Sequence, residues 1–251
     1  MMKKFINKFH PARVVKYKNL TIIGTSHIAK QSLKQVEETI KKIKPEIVAI
    51  ELDKKRYYSL THNVKRKLRF TDIRRIGMKG YLFNLIGAWA EKKLGKMVGV
   101  SPGSEMIVAI NLAKKQKAKL ALIDQDIEIT LRRLSKAFTF KEKWNFFVDV
   151  LKGLFFGKRE MKKMGIKSMD LTKVPSKTLI KKLIKKVKER YPSLYRVLIE
   201  ERNYVLAENL RYLIQENPDS KIVAIIGAGH EDAVLKLIKE GPEITYAFKV
   251  G

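Results

Sequence analysis

Two short segments near opposite ends of the chain, Gly24-Thr25-Ser26-His27 and Gly227-Ala228-Gly229-His230, hold two of the four histidines in 251 residues. Each follows an apolar run, TII in one and IVAII in the other, and each precedes a helical pattern. A histidine so placed stands at the N-terminal end of a helix, where the dipole disfavours imidazolium. The neutral ring is the form that metal ligation or general-base work requires. A second pair of apolar runs ends in acids: EIVAIEL closes on Glu51 with Asp53 behind it, and KLALID closes on Asp124 with Asp126 two residues on. Two imidazoles and a carboxylate make a ligand set suited to Zn, Mn, Co or Fe, with positions left for water. His10 and His62 have no such setting and read as surface residues.

A parallel sheet would bring these groups together. NLTIIG, EIVAIEL, KLALID and KIVAIIG are short, rich in Ile, Val, Leu and Ala, and lack clean alternation, the pattern of buried parallel strands. ITYAFKV, residues 244–250, reads as a fifth strand. Between the first two strands, Ser32 to Lys44 sets Leu33, Val36, Ile40 and Ile43 on one helical face and stops at Pro45. Asp232 to Glu240 repeats the pattern with Val234, Leu235 and Ile238, and Gly241-Pro242 ends it. This order predicts an α/β fold, a mostly parallel central sheet with helices on both faces. Ligands of such sheets bind outside the carboxyl ends of the strands, the edge on which His27, Glu51, Asp124 and His230 would converge. Residues 54–116 and 128–216 are too long for simple connections and too periodic for disorder. They read as large helical elaborations of a single domain spanning 1–251.

Composition narrows the classes. With 54 Lys+Arg against 25 Asp+Glu the net charge is +29, which draws polyanions and anionic membrane surfaces. The basic residues are spread along the chain with no arginine-rich reading motif, which argues against a nucleic-acid partner. The absence of cysteine excludes disulfides and thiolate metal sites and fits a reducing cytoplasm. The basic N-terminus lacks the apolar run of a signal peptide. The longest apolar stretches, such as YLFNLIGAWA, fall short of the ~20 residues that span a bilayer. The expected location is therefore cytoplasmic or membrane-associated. The segment KAFTFKEKWNFFVDVLKGLFFGKRE sets Phe138, Phe140, Trp144, Phe146, Phe147, Phe155 and Phe156 among lysines. Membrane-surface docking, self-association as a homodimer and completion of the core all remain open for it.

Taken in order along the chain, GTSH at 24–27, IVAIELDKKRYYSL at 47–60, SPGSEM at 101–106, ALIDQDIEITLRRL at 121–134, ERN at 201–203 and GAGH at 227–230 resemble the TraB family. That family includes PrgY, is related to Tiki and GumN proteins, and is more distantly similar to the erythromycin-esterase/ChaN-like fold. The resemblance implies an α/β core and, by analogy with Tiki, metal-dependent peptidase chemistry at His27, His230 and Glu51. It also implies that Arg56, Arg202 and Asn203 orient or neutralise a carboxylate or oxyanion. Asp124 or Asp126 would then steady a histidine from behind. Gln125 stands where the family more usually has arginine. Relatives of the PrgY type are associated with lowering the activity of small secreted peptides, so a non-enzymatic peptide binder is the alternative. The reading is a hydrolase acting on a peptide or protein substrate with Mn, Co or Zn, against sequestration of a peptide without cleavage.

Overall fold

The computed structural model describes residues 14–26, 30–62, 64, 70–79, 81–82, 84–85, 103–146, 148–149 and 176–241. His27, Phe147, Phe155, Phe156 and the segment ITYAFKV lie outside the described residues. Five strands form one sheet in the order β1-β2-β5-β3-β4. They are β1 (Val14–Tyr17), β2 (Leu20–Thr25), β3 (Ile47–Ile50), β4 (Lys119–Leu122) and β5 (Ile222–Gly227). β2, β5, β3 and β4 run parallel, and β1 lies antiparallel on the β2 edge. The mostly parallel α/β sheet expected from the four apolar runs is present, and β1 is an addition to it.

Alternate residues of each strand serve opposite faces, as the two-residue repeat of a strand requires. On one face Leu20, Ile22, Ala49, Ile222, Ala224 and Ile226 pack on α7 (Glu201–Glu216) through Leu206, Leu210 and Ile214, and on α8 (Glu231–Glu240) through Val234 and Ile238. On the other, Ile23, Val48, Ile50, Val223 and Ile225 meet Val36 and Ile40 of α1 (Lys30–Ile43) and Met106, Ala109 and Ile110 of α3 (Ser104–Lys115). The result is helix, sheet, helix. α1 and α8 begin within two residues of the starts expected from periodicity, ordinary scatter for helix ends.

Three helices outside these layers start on polar caps. Asp53 Oδ1 accepts from the Lys55 and Arg56 amides and opens α2 (Lys54–Thr61). Asp126 Oδ1 accepts from the Glu128 amide and opens α4 (Ile127–Ala137). The Ser176 hydroxyl accepts from the Leu179 amide at the start of α5 (Lys177–Arg190). α6 (Pro192–Tyr195) then runs through a π turn, Arg196–Glu200, straight into α7. Among the described residues no helix is long and apolar enough to cross a membrane.

Candidate active site at the carboxyl ends of the strands

The register places Thr25 beside Gly227 and Ile50 beside both Ile225 and Leu122. Whatever follows β5, β3 and β4 therefore emerges side by side. Glu51 follows β3 and is 3% exposed; Asp124 follows β4, and its carboxylate is wholly enclosed. His230 closes the turn after β5 as the cap of α8 and is also buried. From the face above, the first turn of α7 adds Arg202 and Asn203. The π turn before it inserts extra residues into the helical winding, a device that re-aims the side chains that follow.

Arg202 is the hub. Its Nη2 donates to Glu51 Oε1 and, at 2.6 Å, to Asp124 Oδ2, while Nε donates to Asp124 Oδ1 at 3.0 Å. Nη1 reaches the Leu198 carbonyl at 3.3 Å and lies 3.4 Å from His230 Nε2. The other Glu51 oxygen accepts the Gly227 amide at 2.5 Å. A Cβ on Gly227 would crowd Glu51 Oε2 at 3.3 Å, so the missing side chain eases the approach of that carboxylate. Arg56 completes the row from α2, donating to Asp124 Oδ2 and, at 2.6 Å through Nε, to Asp53 Oδ2. Burial works against the charged form of Arg202, but Glu51 and Asp124 outweigh it and hold its pKa above that of an ordinary arginine. Arg56 follows the same rule, with burial overcome by Asp124 and Asp53.

His230 is oriented by Asn203, whose Oδ1 lies 2.7 Å from Nδ1. That amide oxygen accepts from Nδ1–H, and in the neutral ring this leaves Nε2, on the side of Arg202 and Glu51, as the nitrogen with the lone pair. Nε2 lies 3.6 Å from Glu51 Oε1. Glu51, Asp53 and Asp124 face the guanidinium groups of Arg56 and Arg202.

Of the residues singled out from sequence, Glu51, Asp124, Arg56, Arg202, Asn203 and His230 thus form one connected cluster. Asp126 sits at its margin, capping α4 and pairing with Lys55 Nζ at 2.9 Å. Asp124 serves the two arginines. Gln125 donates to Thr130 Oγ1 at 3.1 Å and closes the turn into α4. His62 stacks on Tyr58 at the exposed end of α2. Glu231 is a buried group that sequence reasoning passed over: it is 0% exposed, a Cβ on Gly24 would overlap its carboxylate, and Lys177 Nζ lies 3.3 Å away. The glycine at the end of β2 was the available signal, since it makes room for that side chain.

Fold and site together define a class: an α/β domain with a buried carboxylate–arginine–histidine cluster outside the carboxyl ends of parallel strands. Comparison with known proteins gives that class its family. Residues 13–240 match the TraB/PrgY/gumN family, and the chain belongs to it. An uncharacterized protein of Methanocaldococcus jannaschii is 36% identical over 224 residues, covering 88% of this chain and 54% of that protein. TraB domain-containing proteins of Mus musculus and Homo sapiens are each 24% identical over 239 residues, covering 86% of this chain and 61% of theirs. The chain thus spans 54 to 61% of the length of these relatives.

Proposed function

We propose that this chain is a metal-dependent hydrolase of peptides, working at the cluster of Glu51, Arg202 and His230. The observation that carries the reading is the placement of His230 Nε2 3.6 Å from the buried Glu51 carboxylate at the carboxyl edge of a parallel sheet. The donors suit a divalent ion such as Mn, Co or Zn: an imidazole and a buried carboxylate. Among the described residues no set of three or more His, Cys, Asp or Glu side chains is arranged to hold an ion. His27, outside those residues, is the proposed third ligand. A bound ion would polarise the scissile carbonyl and lower the pKa of water.

The chain's own groups divide the remaining work. Asn203 holds the His230 ring through Nδ1, so that Nε2 faces Glu51. Glu51 holds charge at the reacting edge, fixed by the Gly227 amide. Arg202, enclosed and anchored on Asp124, offers a positive group to an oxyanion in a site with little water. Arg56 keeps Asp124 in place from the far side.

The second reading is peptide capture without cleavage, in the cytoplasm or at a membrane surface. One observation favours it: both Glu51 oxygens are committed, one to Arg202 and one to the Gly227 amide, which suits a structural role. Peptide cleavage followed by mass spectrometry separates the two, with Mn, Co and Zn each added to chelator-stripped protein. The expected result is metal-dependent cleavage, lost by about 100-fold or more in Glu51→Gln and in His230→Ala while peptide binding persists. Cleavage undiminished by chelator and by Glu51→Gln would overturn the metallohydrolase, and binding without cleavage under every metal would leave the capture reading.

A further inference from the structure

The chain also presents large apolar side chains to solvent on a fixed base. Phe70 is 82% exposed, Phe140 81%, Met78 64% and Trp144 61%. Their backbones are pinned from within. Residues 72–79 are helical; Ile76 is buried, Arg75 Nη1 pairs with Glu128 at 3.2 Å, and the Arg75 carbonyl accepts Arg132 Nε at 3.0 Å. Gly77, at φ 75°, lies against Ser135, which seats this helix along α4. Residues 140–146 are likewise tied down. Phe138 is buried and meets Phe146 edge to face at 6.5 Å, and Glu142 accepts the Ser193 amide at 2.7 Å. Phe138 and Phe146 thus serve the interior while Phe140 and Trp144 on the same stretch turn outward.

Two lysines join these pieces. Lys79 of the first stands beside Lys143 of the second, and burial followed by the Lys143 ammonium pulls the Lys79 pKa below its ordinary value. Phe70 stacks on Tyr81 at 6.2 Å, and Lys141 adds a further exposed cation. Exposed rings around adjacent ammonium groups match the boundary of an anionic bilayer, where rings sit at headgroup depth and phosphate oxygens can bridge two lysines. A second copy of the chain fits poorly. A two-fold contact would bring the same lysines together in a protein already at +29, and lysine is depleted from the centres of protein interfaces.

We propose that the face formed by Phe70, Met78, Lys79, Phe140, Lys143 and Trp144 docks on an anionic lipid surface. The protein then lies on the membrane by this face.

Flotation of the purified chain with vesicles of phosphatidylcholine, with or without phosphatidylglycerol, tests this. Expected are binding only to the anionic vesicles, loss of binding with added salt, and a reduction of about tenfold in both Phe140→Ser/Trp144→Ser and Lys79→Gln/Lys143→Gln. Lys182→Gln/Lys186→Gln on α5 removes the same charge and is expected to leave binding within about twofold. Unchanged thermal midpoints confirm that the exposed substitutions leave the fold intact. Failure to float with anionic vesicles overturns the proposal. So does binding that all three pairs lower alike, which marks adsorption by net charge. Loss of a dimer by light scattering in Phe140→Ser/Trp144→Ser, with no vesicle binding in the wild type, assigns the face to a second copy and overturns it as well.

Discussion

Arg202 reaches the two donors that a metal would need, Glu51 Oε1 and His230 Nε2, and already carries a positive charge to them. A divalent ion and this guanidinium therefore compete for the same oxygen and nitrogen. Arg202→Gln removes the competitor and adds a unit of uncompensated negative charge beside Glu51. Its affinity for Mn, Co or Zn is expected to rise about tenfold or more by calorimetric titration, while peptide turnover falls. Equal affinity in the two proteins would separate Arg202 from the ion's binding place. Most of this neighbourhood could be read from sequence, because residues that end apolar runs must emerge on one edge once the strands are parallel. Glu231 could not. An acid in the first turn of a helix is ordinarily a solvated partner of the helix dipole, and only the empty volume at Gly24 turns this one inward. Asp126, two residues beyond Asp124, is taken up as a helix cap.

Between residue and molecule, the elements decide which of these groups can meet. The four central strands were legible since continuous apolar runs have no other place than a sheet covered on both faces. β1 was not. Val14–Tyr17 is short, only every second residue is half-buried, and its turn through Lys18-Asn19 lacks the Asn-Gly or Asp-Gly signature of a tight hairpin. Lys18 takes φ 51° there, and the Asn19 side chain donates to the Asn217 and Ser220 carbonyls, so the turn is stabilised by long-range contacts. The π turn was equally hidden, as no residue type marks it. Where β2 meets α8, the packing leaves no room for a methyl group, because Glu231 already fills the space over Gly24. Gly24→Ala is expected to destabilise the chain by about 1–3 kcal/mol through overpacking, read as a lower urea midpoint. An unchanged midpoint would mean that α8 shifts freely on the sheet edge.

For the whole molecule the governing quantity is charge, 54 basic side chains against 25 acidic ones. Acids engaged in the fold then carry weight beyond their own contacts, because each also offsets repulsion among the cations. Glu142 is 2% exposed; burial alone would raise its pKa, but the Thr139 amide at 2.9 Å, the Thr139 hydroxyl at 2.8 Å and the Ser193 amide bring it below its ordinary value of 4.5. Asp232 is lowered from 3.8 by its bond to Lys177 at 2.8 Å and by Lys181 at 3.2 Å. A carboxylate whose folded pKa lies below its unfolded one contributes stability in full above the unfolded value and loses it as pH falls through the folded value. The urea midpoint should therefore hold steady from about pH 8 to 6 and decline below pH 4.5, the ordinary value for Glu142. Glu142→Gln keeps an acceptor for the amides but cannot gain or lose a proton. Its deficit relative to wild type should be about 1 kcal/mol at neutral pH and shrink toward zero in acid. Curves that stay parallel down to pH 3 would show that the Glu142 contacts carry no proton linkage. Because protonating the acids raises net charge further, added sulfate should restore part of the acid loss in both proteins, screening the cations that remain.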